Sequence, residues 1–174
     1  MKKGLVEDSE YLQSLALYHD DLIRFARSLT RSREDAQDLV SETILKSFES
    51  WNKLRDHKTF RVYLFRIAHR LYMRQQWRRR LFNPWSENVD IIAEDLLPDA
   101  LTDVTIIREA LQKLPAKQRE CFVLFHVMGL SLAEIAEVQN GSIGSIKSRL
   151  HRAKLALRIV LSMENDEKNR RTTD

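Results

Sequence analysis

Gly129-Leu-Ser-Leu-Ala-Glu-Ile-Ala-Glu-Val-Gln-Asn-Gly-Ser-Ile-Gly-Ser-Ile-Lys-Ser-Arg-Leu-His-Arg-Ala-Lys154 reads as two helices joined by a tight turn, the second loaded with cations. Gly129 can stop a preceding helix, and Ser131 with Glu134 forms the S-x-x-E capping box that starts the next. Leu132, Ile135, Ala136 and Val138 give that short helix an apolar face, and Asn140-Gly141 supplies residues that tolerate positive φ. Ser142 can cap the second helix. Its apolar positions Ile143, Ile146, Leu150, Ala153 and Leu157 recur at three- and four-residue spacing and predict the face that docks it on its domain. The opposite positions carry Ser145, Lys147, Ser148, Arg149, His151, Arg152 and Lys154, with no acid between Ser142 and Ser162. Such a helix suits a major groove, with cations for phosphates and side chains for base edges. A solvated basic helix in an ordinary bundle would carry a similar run; the capped partner helix and the Asn-Gly turn favour a helix-turn-helix and DNA.

Outward from this motif, composition sets the limits. A chain of 174 residues, 43% hydrophobic and 31% charged, is that of a globular protein of one domain or two small ones. Four Gly and three Pro leave long uninterrupted stretches of helical periodicity, and the alternation of strands is missing, so the expected fold is all-α. The net charge of +4 is modest, but the cations cluster in two helices and the acids in a connector. Cys121, the single cysteine, excludes an internal disulfide and a Cys-rich zinc site. The first ten residues lack the apolar core of a signal peptide, and no stretch approaches eighteen apolar residues, so the expectation is a cytoplasmic chain without membrane insertion. His19, His57, His69, His126 and His151 are scattered, no Gly-rich phosphate loop is present, and the serines have no evident His and Asp partners. Neither an enzyme nor a metal or cofactor site is expected.

Helical signals run from about Ser9 to Leu29, from Ser32 to Trp51 and from Lys58 to about Arg80. Ser32 and Asp35 suggest a second capping box, and Phe60, Leu64, Ile67, Ala68 and Leu71 mark the buried edge of the third helix. Asn83-Pro84 ends that helix. From Phe82 to Ile107 there is no basic residue, while Glu87, Asp90, Glu94, Asp95, Asp99 and Asp103 fall there around Pro98, which reads as an acidic linker. Periodicity resumes near Thr102, Pro115 can open a helix over Ala116 to Met128, and residues 164–174 read as a polar, frayed tail. The expected divisions are a first domain over 9–81, a linker over 82–102, a second domain over 103–163 and the tail.

The third helix carries Arg61, Arg66, Arg70, Arg74, Arg78, Arg79 and Arg80 without an acid, a pattern that should repel itself. Tyr63, Arg66, Arg70, Arg74 and Trp77 share one face. Guanidinium forks suit phosphates and exposed rings stack on unpaired bases, so the face fits locally single-stranded DNA; the alternative is that the rings are core and the arginines only solubilise. On the second helix Asp35, Asp38 and Glu42 form an acidic face beside Leu39, Thr43, Ile44 and Phe48, positions suited to burial. A basic protein partner and a solvated acidic face are both open readings.

This order of surfaces resembles a bacterial RNA polymerase sigma factor of the extracytoplasmic function group, over about Tyr11 to Met163. Ala36-Gln-Asp-Leu-Val-Ser-Glu-Thr-Ile-Leu-Lys-Ser-Phe48 is similar to the family's polymerase-binding region and Ile146-Lys-Ser-Arg-Leu-His-Arg-Ala153 to its recognition helix, with support from Leu114-Pro115 and Phe60 to His69. The resemblance implies that the two domains are sigma domains 2 and 4, binding core RNA polymerase at the β′ clamp helices and the β flap. It places Asp35, Asp38, Leu39, Glu42 and Phe48 at the polymerase and Tyr63, Arg66, Arg70, Arg74 and Trp77 at the melted minus-ten element. Ser142, Ser145, Lys147, Ser148, Arg149 and Arg152 fall at the minus-thirty-five duplex. It further implies promoter DNA and an anti-sigma factor as partners, and a linker that imitates a nucleic-acid backbone along the RNA path. The chain departs from the pattern in having Tyr63 where the family often has Trp, Arg70 where it often has Asn, and Gln139-Asn140 where Leu-Gly is common. A stand-alone regulator binding an operator duplex is the alternative, with an RNA-binding protein more distant.

Overall fold

The computed structural model describes residues 2–30, 32–54, 56–82, 107 and 109–171, with side chains for all of these except 2–8, 80, 82, 160, 161 and 163–171. Among them there is no strand. The helices are α1 (Lys2–Leu29), α2 (Arg33–Glu49), α3 (Phe60–Phe82), α4 (Ala116–His126), α5 (Leu132–Val138) and α6 (Ile143–Arg171). Residues 109–112 are also helical, and 3₁₀ turns at Trp51–Lys53 and His57–Thr59 lead from α2 to α3. Of the sequence-predicted acidic linker, Phe82 ends α3 and residues 83–102 lie outside the described residues. Two compact units divide the chain, the first built on α1, α2 and α3, the second on α4 and α6.

In the first unit α1 starts earlier than the sequence predicts, at Lys2 rather than Ser9. Leu22, Phe25 and Leu29 of α1 and Phe60, Leu64, Phe65, Ala68 and Leu71 of α3 are buried with Ala36, Leu39 and Val40 of α2. Phe25 meets Phe65 edge-on at 5.1 Å. Burial of each large apolar side chain contributes about 1.5–3 kcal/mol, so this three-helix contact is what holds the surfaces described below. Tyr11 anchors one end of the core: its ring lies 5.1 Å from Phe48, 5.5 Å from Trp51 and 5.8 Å from Phe60, all edge-on. Its hydroxyl donates to the Ile44 carbonyl at 2.9 Å and lies 2.8 Å from Ser47 Oγ, satisfying the one polar atom that burial would otherwise orphan.

In the second unit Cys121, Val123 and Leu124 of α4 are buried with Ile146, Leu150, Ala153 and Leu157 of α6. Arg119, also buried, donates through Nη1 to the Gln112 carbonyl at 3.2 Å and to Gln112 Oε1 at 2.7 Å, tying α4 to the helical residues before it. Pro115 stands at the N-cap of α4, as its missing N–H and fixed φ favour. At the other end α6 continues to Arg171, where the sequence suggests a frayed tail. Polarity alone was a poor signal there: no Gly or Pro follows Gly144, and Glu, Lys and Arg are good helix formers.

Candidate nucleic-acid and partner interfaces

The turn between α5 and α6 is built as its sequence directs. Gly129 takes φ +69° after α4, and the Leu130 N–H donates to the Leu124 carbonyl at 2.9 Å. The Ser131 N–H donates to Glu134 Oε2 at 2.8 Å while the Glu134 N–H donates to Ser131 Oγ at 3.3 Å, a complete capping box for α5. Asn140 has φ +48°, a left-handed value that Asn tolerates better than most residues, and the Gly141 N–H returns to the Ala136 carbonyl at 2.9 Å. Gly141, by contrast, does not take a positive φ; its missing side chain serves a close approach instead, since a Cβ there would stand 2.9 Å from Ser145 Oγ and 3.5 Å from a guanidinium nitrogen of Arg149.

Ser142 Oγ accepts from the Ser145 N–H at 3.2 Å and caps α6. Ile146, Leu150, Ala153 and Leu157 are buried, as their spacing predicts, whereas Ile143 is 47% exposed and does not dock the helix. Periodicity assigned Ile143 to the apolar face, but that face gains cover only from Ile146 onward. Lys147, Ser148 and Arg152 are exposed and Ser145 and Arg149 half-buried. The Ser145 hydroxyl donates to the Ser142 carbonyl at 2.7 Å and that of Ser148 to the Gly144 carbonyl at 3.1 Å, so both turn their protons to the helix and keep lone pairs outward.

In the first unit the acidic and basic helices are in contact. Arg74 Nη2 lies 2.6 Å from Glu42 Oε1, and Arg79 Nη2 lies 2.5 Å from Asp35 Oδ1. Arg61 reaches Asp21 of α1 at 3.5 Å. The self-repelling α3 is therefore relieved by acids from its neighbours, which sequence spacing within α3 could not reveal. Ser32 Oγ accepts from the Asp35 N–H at 3.0 Å, while the Asp35 carboxylate takes Arg79. Asp38 is exposed with no ionic partner among the described residues. Leu39 is buried and offers no surface to a partner; it packs α2 from beneath. Phe48, expected to be buried, is 46% exposed, with one edge on Tyr11, because α1 covers only part of that end of α2.

Of the rings on α3, Trp77 is 63% exposed, so it is not a core residue. Tyr63 is half-buried; its hydroxyl donates to Ser50 Oγ at 2.7 Å, and the Arg66 guanidinium lies 5.3 Å from its ring centre. Arg70 is exposed. Sequence reasoning also missed how Trp51 is used: it is buried, stacked 4.0 Å from His57, and holds the connection between α2 and α3.

Comparison with known proteins places these surfaces in one family. Residues 15–81 match the family model of Sigma-70 region 2, and residues 105–157 match that of Sigma-70, region 4. The RNA polymerase sigma factor SigV of Bacillus subtilis is 28% identical, over 95% of this chain and 99% of SigV. The ECF RNA polymerase sigma factor SigW of the same organism is 26% identical, over 91% of each chain. Among solved structures, the sigma factor RpoE from Bartonella quintana, in complex with the anti-sigma factor NepR, superposes with a TM-score of 0.79 at 29% identity, covering 88% of this chain and 97% of RpoE. CnrH, in complex with the cytosolic domain of CnrY, gives a TM-score of 0.67 at 25% identity, over 90% of each chain. With one sigma-70 region matched in each of its helical units, this chain belongs to the extracytoplasmic function group of the sigma-70 family.

Proposed function

We propose that this chain binds core RNA polymerase and directs promoter-specific initiation, with residues 9–81 as sigma domain 2, 82–102 as an acidic linker, 103–163 as sigma domain 4 and 164–174 as a tail. The observation that carries this reading is that the two compact units match two different sigma-70 regions and each presents a basic helix of its own. Asp38, Glu42 and the exposed part of Phe48 meet the β′ clamp helices, Asp35 borders that contact, and Leu39 holds the helix in place. A half-exposed aromatic beside the exposed Asp38 and the half-exposed Glu42 is suited to a basic, partly apolar partner, where the ring supplies buried area and the charges set the register.

Tyr63, Arg66, Arg70, Arg74 and Trp77 take the melted minus-ten strand. The exposed indole can stack on an unpaired base, which is worth about 1–3 kcal/mol, and the arginines hold its phosphates. Ser142, Ser145, Lys147, Ser148, Arg149 and Arg152 meet the minus-thirty-five duplex, with domain 4 also seated on the β flap. With their protons turned inward, Ser145 and Ser148 are placed to accept hydrogen bonds from base amino groups. An anti-sigma factor restrains the chain, a reading supported by the RpoE structure, solved in complex with the anti-sigma factor NepR. The chain acts by binding, not as an enzyme. No described helix is long and apolar enough to cross a membrane, and a chain that acts on polymerase and promoters acts in the cytoplasm.

Run-off transcription from a promoter of the source genome tests this directly. Initiation is expected only when the chain and core RNA polymerase are both present. Tight duplex binding without polymerase, and no initiation with it, would instead favour the stand-alone regulator.

A further inference from the structure

The first turn of α6 holds a side chain that neither the docking face nor the polar readers of this helix account for. Ile143 begins α6 and leaves nearly half its surface in water, although Ile146, Leu150, Ala153 and Leu157 suffice to seat the helix. Around it the surface is low. Gly144 has no side chain, and a Cβ added there would meet only Ser142 Oγ, at 3.9 Å. Lys147, four residues on and exposed, supplies a cation on the same side. The serines nearby are spent differently: Ser142 caps, and Ser145 and Ser148 donate to the backbone.

A recognition helix enters the major groove by its N-terminal residues, and the one apolar group exposed in that groove is the 5-methyl of thymine. We infer that Ile143 is a specificity-determining residue that reads a thymine methyl in the upstream promoter element. The inference rests on the helix-turn-helix reading duplex DNA as proposed above. The Gly144 gap lets the groove edge approach closely, and the aliphatic side chain excludes water from the methyl. Isoleucine makes this contact without donor or acceptor, so it rewards thymine over cytosine through the methyl alone.

The test uses holoenzyme, assembled from the full chain and core RNA polymerase of the source organism. A preferred upstream element is first selected from a duplex library randomised in that region. Each thymine of the selected element is then replaced singly by deoxyuridine, which removes the methyl and keeps every hydrogen-bonding group. One replacement is expected to weaken binding about fourfold, the effect of one buried methyl. Ile143→Ala should bind the thymine duplex more weakly and lose that sensitivity, while Ile143→Val should keep most of it. Because Ile143 is exposed, neither variant should alter the fold. A scan without a sensitive thymine, or a sensitivity that survives Ile143→Ala, overturns the inference and leaves the proposed function standing. If holoenzyme selects no upstream sequence at all, it is the sigma reading of the second unit that fails, and the inference with it.

Discussion

The two basic helices differ in what they do with their charge. On α3, Arg61, Arg74 and Arg79 are engaged by Asp21, Glu42 and Asp35 of α1 and α2. On α6, Lys147, Arg152 and Lys154 are exposed with no acidic partner among the described residues. The difference follows from what packs behind each helix: α3 lies against α2, whose Asp35 and Glu42 reach its arginines, whereas α6 lies against α4, whose one acid, Glu120, is buried. A surface like that of α6 meets phosphates with its cations ready. An arginine engaged as Arg74 and Arg79 are must exchange a carboxylate for the phosphate it takes, which lowers both the gain and the counterion release of that contact. Preformed duplex can be met by the first kind. For single strands that exist only after melting, a surface satisfied at rest is no handicap.

The largest effect expected on binding is at the acids themselves, because the comparison gives Glu42 two roles and charge reversal separates them. If Asp35 and Glu42 were only counter-ions for α3, and Asp38 only a solvated charge, polymerase would not feel their loss. Asp38→Lys with Glu42→Lys is instead expected to lower affinity for core polymerase tenfold or more, about 1.4 kcal/mol upward, because like charges would then face a basic partner. Far-UV helicity should hold, since both side chains lie outside the core. Unchanged polymerase affinity in a folded double variant would reduce the acidic face to an internal neutraliser.

The units should also part in alkali, for a reason that lies in their cores. Burial pushes the Cys121 thiol up from its ordinary 9.0 to about 11, against a smaller opposing effect of Arg149. A raised folded-state value favours the protonated thiol, so its stabilisation is present below pH 9 and is lost as pH rises through 9 to 11. The loss amounts to about 3 kcal/mol over that window. In the first unit burial raises the Tyr11 phenol above its ordinary 10.0, so the same loss begins there only above pH 10. Hydrogen exchange followed by segment should show α4 and α6 loosening about one pH unit before α1, α2 and α3, and Cys121→Ala should remove that lead. Simultaneous loosening would mean that the thiol is less buried than its contact with the Ile146 carbonyl, 3.7 Å away, indicates.

How much of this was legible in the sequence depends on how local the cause is. The capping box of Ser131 and Glu134, the left-handed Gly129 and Asn140, and the seats of Ile146, Leu150, Ala153 and Leu157 follow from neighbours within a few residues, and the structure has them as read. Periodicity puts Ile143 and Phe48 on buried faces, yet both are exposed, because it defines a face without saying how far along it the neighbouring helix extends. The face that Trp77 shares with the arginines of α3 was readable from spacing, and its exposure removes the core reading of the ring. The pairing of Arg74 with Glu42 joins residues of two surfaces that the sequence treated as separate. No one-dimensional pattern carries that information, since it depends on the register in which α2 and α3 pack.

That pairing yields the smallest expected effect and the most direct test of the comparison. Both partners are about half exposed, so the pair stabilises the first unit by no more than about 1 kcal/mol. Glu42→Gln keeps the shape and removes the charge, which leaves Arg74 free for a phosphate without unpacking α2. Affinity of the isolated chain for a single-stranded oligonucleotide should rise by at most about fivefold, and the slope of log affinity against log salt should steepen by about 0.7, the increment for one further phosphate contact on a single strand. Glu49→Gln is the matched control. Its carboxylate pairs with Lys46 of the same helix at 2.8 Å, so it changes net charge equally and frees no cation on α3. A gain confined to Glu42→Gln would show that α2 restrains the charge of α3. Equal gains from the two variants would mean that only net charge matters, and the distinction drawn between the two basic helices would then rest on α6 alone.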